Sequence, residues 1–141
     1  MKIRIAVCDA GRLRYFAADK ANGALREIDS RVHTASRQRP RDLVSDRQGR
    51  DRGRGGGVHS LGDGEPHRQA VVVFAREVAE LLNREALAGS VDRLYVLAPP
   101  EFLGMLRKEF HPATAALVAD RSVNVVTESL ERIRRQLPEF L

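Results

Sequence analysis

Residues 91–98 read Val-Asp-Arg-Leu-Tyr-Val-Leu-Ala. After Arg93 the alternation of apolar and polar positions stops, and every side chain from Leu94 to Ala98 is apolar or aromatic. A strand apolar on both faces lies inside a sheet that is covered above and below, so this stretch predicts a central strand between layers. Pro99-Pro100 ends it, and Pro100 suits the first turn of a helix over 101–110 that packs Phe102, Leu103, Leu106 and Phe110. Pro99-Pro100 also marks a strand end of the kind at which ligands of α/β sheets tend to bind.

Upstream, Val71, Phe74, Ala75, Val78 and Leu82 recur at helical spacing, with Arg76, Glu77, Glu80 and Asn83 on the other side. Asp63 as cap, Pro66 in the first turn and Gly89 as stop predict a helix over about 66–88. At the N-terminus Ile3, Ile5 and Val7 alternate with Arg4, Ala6 and Cys8, which is a strand. Asp9-Ala10-Gly11 turns the chain into a second alternation through Leu13, Tyr15 and Ala17. Asn22-Gly23 offers another turn before a weaker strand over about 25–32. Past His111-Pro112 come a helical turn near 113–117, a last strand within 118–126, and a helix over 128–137 capped by Thr127. The predicted class is α/β: one domain over 1–141, with a mixed sheet sandwiched by helices. The sheet is an N-terminal antiparallel meander plus central strands. Tyr15, Phe16, Phe74 and Phe102 are assigned to the core.

Between meander and helix lies Arg37–Gly57, RQRPRDLVSDRQGRDRGRGGG. Arg37, Arg39, Arg41, Arg47, Arg50, Arg52 and Arg54 stand against Asp42, Asp46 and Asp51, a net +4 of the chain's +5. Five glycines, Pro40 and almost no apolar residue exclude a strand or buried helix there. A structureless segment of this length is usually functional or disordered. The expectation is a flexible basic loop over about 37–64 that grips an acidic partner, RNA or the ribosome. Its arginines would take phosphates, while Gly55, Gly56 and Gly57 let backbone approach closely, and His59 completes the partner-binding set. The loop has no aromatic residue to stack a base. A pI near 10.1 agrees with an acidic partner.

Other chemistry is sparse. Asp9, with Asp19, Asp46 and Asp120, is the one candidate set for a two-metal site, yet aspartate also favours turns. His33, His59, His67 and His111 lack ligand spacing, Ser60 lacks a nucleophile elbow, and Gly55-Gly56-Gly57 lacks the Gly-Lys-Ser/Thr of a P-loop. A phosphate cradle there is also disfavoured because the predicted helix begins about nine residues later. The single cysteine, Cys8, permits no internal disulfide and reads as a buried thiol. No cofactor is called for, and no stretch reaches the length of a membrane span or signal core, so a cytoplasmic protein is expected.

IAVCDAGRLRYF near the start, DLVSDRQGR at 42–50, the glycines with His59, FAREVAELL at 74–82 and RLYVLAPPEFLGMLR at 93–107 together resemble the bacterial host-attachment family, proteins required for attachment to host cells. The likeness covers most of the chain and departs at Arg121–Thr127, where such proteins tend to carry an acidic run. More distantly, the order of meander, Gly-rich basic loop and long helix is similar to the middle domain of archaeal and eukaryotic peptide-chain release factors, an RNase H-like arrangement. That resemblance implies a ribosomal or RNA partner. The absence of glutamine beside Gly55-Gly56-Gly57 argues against peptidyl-tRNA hydrolysis. Three function classes follow: a non-enzymatic RNA- or ribosome-binding protein, a surface adhesin, and a metal-dependent nuclease or hydrolase.

Overall fold

The computed structural model describes residues 1–18, 20, 23–33, 56–139 and 141, with 56–66 described by backbone alone. Five strands form one sheet: β1 (Ile3–Asp9), β2 (Arg12–Ala18), β3 (Arg26–Val32), β4 (Arg93–Ala98) and β5 (Val118–Ser122). Their order is β3-β2-β1-β4-β5. β1 pairs antiparallel with β2, and β2 with β3, which is the meander the alternation predicts. β4 lies parallel to β1 on its other side, and β5 parallel to β4. Among the described residues the helices are α1 (Gly56–Leu87), α2 (Pro100–Glu109), α3 (Pro112–Ala115) and α4 (Leu130–Arg135).

Each face of the sheet has its own core. Ala6 and Cys8 of β1, Leu13 and Tyr15 of β2, and Leu94, Val96 and Ala98 of β4 pack against Phe74, Val78 and Leu82 of α1 and Phe102 and Leu106 of α2. On the opposite face Ile3, Ile5, Val7, Phe16, Tyr95 and Leu97 meet Val125, Val126, Ile133, Leu137 and Leu141. The central-strand reading of 94–98 is thereby met: all five residues are buried.

Several boundaries differ from expectation. α1 begins at Gly56, ten residues before the predicted start, so Gly56, Gly57 and His59 are helical and the basic loop cannot extend to 64. Pro66, suited to a first turn, sits inside this helix, where it has no N–H for an i−4 carbonyl. The helix ends as predicted. Gly89 takes φ 72°, a left-handed conformation that glycine adopts at little cost, and Ser90 N–H donates to the Glu85 carbonyl at 3.0 Å. The last helix is shorter than 128–137, because Ser129 rather than Thr127 caps it, its hydroxyl accepting from Arg132 N–H. β3 is an edge strand with a one-residue register slip opposite Tyr15 and Phe16, and most of its side chains are exposed, which accounts for its weak pattern.

Arg14 fastens the C-terminal layer to the sheet. Its Nε and Nη2 fork onto Glu27 at 3.2 and 3.1 Å. Its Nη1 donates to the carbonyls of Val126 and Glu128 at 3.1 and 2.9 Å, and its guanidinium lies 5.2 Å from the Phe16 ring centre. Lysine has neither the fork nor the reach to hold these acceptors together. Arg14→Ala and Arg14→Lys should both lower unfolding free energy, the first by about 2 kcal/mol, as measured by urea titration.

Two buried acids set an alkaline limit. Burial pushes the Cys8 thiol far above its ordinary 9.0, and the neighbouring Asp9 carboxylate adds to this. Burial, then the Glu85 carboxylate that accepts the Tyr15 hydroxyl at 3.1 Å, pushes Tyr15 above its ordinary 10.0. The native chain keeps both protons where the unfolded chain releases them. The stability this represents is complete below about pH 9 and is lost progressively as pH rises beyond it. The urea midpoint should therefore fall from about pH 9 to about pH 11, and Cys8→Ala should flatten the first part of that decline.

Candidate functional site

β1 and β4 run parallel, and their carboxyl ends part ways. β1 turns back into β2 through Asp9-Ala10-Gly11, while β4 continues through Pro99 into α2. The Asp9 carboxylate accepts the Gly11 N–H at 2.9 Å and fixes the first turn. The Pro99 carbonyl accepts Leu103 N–H at 2.9 Å and fixes the second. Between these diverging ends and α1 lies a cleft of about 400 Å3. Ala10, Pro99 and, from α2, Glu101, Phe102 and Met105 form one side. His67, Arg68 and Val71 of α1 form the other.

The chain ahead of the basic segment is anchored beside this cleft. His33 N–H donates to the Gly11 carbonyl at 2.9 Å, and the His33 ring stacks on Phe74 with centroids 5.3 Å apart. Phe74 in turn lies 5.9 Å from Phe102, a wall of the cleft. An aromatic series thus joins the last described residue before the segment to the cavity. His67 is one of the residues that line the cleft, and its Nδ1 has no exposed surface and no hydrogen-bond partner among the described residues.

Arg37, Arg39, Arg41, Arg47, Arg50, Arg52, Arg54 and Gly55 lie outside the described residues, as do Asp19 and Asp46. Gly56, Gly57 and His59 belong to the opening turns of α1. The distance argument against a phosphate cradle fails, since the glycines open the helix directly; the missing Gly-Lys-Ser/Thr remains. Asp120 does not join Asp9. It lies on β5 and is held by Arg107, whose Nη2 and Nε reach its two oxygens at 2.8 and 2.9 Å. Among the described residues no three histidine, cysteine or acidic side chains are grouped to hold a metal ion. Cys8, buried and held in its protonated form, is no nucleophile.

Sequence reasoning located the strand end at Pro99-Pro100 but not His67, Arg68, Glu101 or Met105. None of these carries a motif. Residues from 10 to 105 meet only because β1 and β4 are neighbours.

Comparison with curated proteins gives no match. Among solved structures, the crystal structure of the Aquifex aeolicus member of the Ppx/GppA protein family is 15% identical, with a TM-score of 0.41. The type II variant of the Aquifex aeolicus Ppx/GppA phosphatase is also 15% identical, with a TM-score of 0.40. Each alignment covers 86% of this chain but only 35% and 36% of the other, so the chain spans about a third of their length. The family model described as "Protein required for attachment to host cells" matches residues 4–137. That match spans nearly the whole sequence, from within β1 to beyond α4, and the chain belongs to the family of proteins required for attachment to host cells.

Proposed function

We propose that this protein is a non-enzymatic, cytoplasmic binding protein for RNA, the ribosome being the candidate assembly, and that it grips through the arginine- and glycine-rich segment 37–59. The observation that carries this reading is where the segment is attached. Its leading anchor, His33, is bonded to Gly11 at the carboxyl end of β1, and the α1 residues that follow it line the cleft at that same end. The segment sets seven arginines against three aspartates within 37–57, a local net charge of +4 that attracts phosphate. Arginine suits the planar, two-pronged contacts that phosphate oxygens offer.

A release-factor-middle-domain-like or RNase H-like fold is part of the same reading. It is supported by a meander followed by parallel strands in the order β3-β2-β1-β4-β5. Attachment to host cells is then a downstream consequence of an internal activity. Among the described residues no helix is long and apolar enough to cross a membrane.

Filter binding of generic single-stranded RNA across a salt series tests the proposal. Affinity should fall steeply with salt, and replacing Arg47, Arg50, Arg52 and Arg54 by glutamine should flatten the logarithmic slope by about 3, from roughly 0.7 per lost phosphate contact. Salt-independent retention, or an unchanged slope in the variant, would refute it. On intact cells the protein should resist external protease; digestion there would favour a surface adhesin.

A further inference from the structure

The basic segment has charge without a ring on which a base could stack, and the cleft beside its anchor has the complementary character. Building on the RNA reading, we infer that the cleft between α1 and α2 is a pocket for one nucleobase of single-stranded RNA. Its volume, about 400 Å3, falls at the small end of ligand sites, suited to a single base with its sugar and far too small for a duplex. Val71, Pro99, Met105 and the Phe102 ring supply apolar walls. Every base has an apolar face that such walls can cover, whatever its sequence identity.

The polar groups fix the ligand class more narrowly. His67 Nδ1 is buried and unpartnered among the described residues, a state that protein interiors seldom leave uncompensated. A neutral imidazole nitrogen is a donor or an acceptor according to tautomer, and a base edge presents both kinds of partner. The Glu101 carboxylate accepts only, so it suits the exocyclic amino group of adenine, guanine or cytosine and disfavours uracil's carbonyl edge. Arg68 at the same cavity supplies positive charge for the attached phosphate. An inorganic anion would use Arg68 and leave the apolar walls bare. A wholly apolar ligand would leave Glu101 and the His67 ring at the cavity wall without a polar partner. A nucleotide meets all three demands.

The test is an NMR titration of the full chain with AMP, GMP, CMP and UMP, with inorganic phosphate and ribose 5-phosphate as controls. The amides of Ala10, His67, Val71 and Met105 should shift with AMP, GMP and CMP, more weakly with UMP, and not with either control. His67→Gln and Glu101→Gln should each weaken nucleotide binding about fivefold, the usual worth of one hydrogen bond. The arginine-to-glutamine variant of the basic segment should bind mononucleotides like the parent. Absence of shifts at these residues with every nucleotide, or the same shifts with phosphate or ribose 5-phosphate, overturns the inference. RNA retained on filters without mononucleotide shifts removes the pocket and leaves the basic segment's role intact. Mononucleotide shifts without RNA retention remove that role and leave the pocket standing.

Discussion

Ile3, Ile5, Ala6, Val7 and Cys8 of β1 have no solvent-accessible surface, so both faces of this strand require apolar cover. Hydrogen bonding is met along both edges, by β2 on one side and β4 on the other. Cover for the faces has to come from separate parts of the chain, and the residues of β1 divide that work by size. The face toward α1 carries Ala6 and Cys8, small enough for a long helix to lie close. The face toward the C-terminal layer carries Ile3, Ile5 and Val7, which fill more of the volume themselves. That side needs only a thin cover, and it has one: a six-residue helix and the chain on either side of it. A thin layer has little area with which to hold itself down. Arg14 makes up for this by binding two of its carbonyls directly from β2.

The same strand determines where a ligand can enter. With β1 and β4 parallel and adjacent, their carboxyl ends face the same way, but the chain leaves them in different directions. In open α/β sheets such divergence leaves a crevice beyond the strand ends. Here α1 and α2 line the crevice, and the short connections Asp9–Gly11 and Pro99–Pro100 are each held by a hydrogen bond, the first to the Asp9 carboxylate and the second to the Pro99 carbonyl. The opposite ends of the strands are tied together. At the amino end of β1 the Lys2 N–H reaches the Asp92 carboxylate at 2.6 Å, and the Lys2 carbonyl accepts Asp92 N–H at 2.7 Å, which ties the neighbouring strand ends together.

Strands β1, β2 and β4 were legible because burial imposes a pattern on them: alternation where one residue in two faces a core of larger side chains, continuity where both faces are closed. β3 was faint for the opposite reason, since an exposed edge strand tolerates almost any residue, as Arg26, Glu27 and Asp29 show. The start of α1 was misread from Pro66, which is a good first-turn residue by its own chemistry; nothing local reveals that a helix will run through it. The end of the chain was misread because Thr127 and Ser129 are equally able caps, and only the packing of Ile133 beneath the sheet chooses between them. The basic segment needs no fold to be seen, because composition alone marks it. The cleft is the reverse case, made of residues with no shared motif that topology brings together.

These two features act over different distances. Arginine–phosphate attraction extends over roughly 10 Å at moderate salt, is indifferent to sequence, and weakens as salt rises. A base in an apolar slot interacts only on contact and is far less sensitive to salt. The first can gather and orient a strand but cannot tell one nucleotide from another. The second can distinguish bases but has no reach. His33, the last described residue before the basic segment, donates to the Gly11 carbonyl, one residue from the cleft wall at Ala10, so on the proposed reading a strand drawn in by the first would meet the second nearby. On that reading the two features together would favour single-stranded RNA more than either does alone. A duplex presents phosphates as readily, yet it cannot place a stacked base in so small a cavity without first unpairing it.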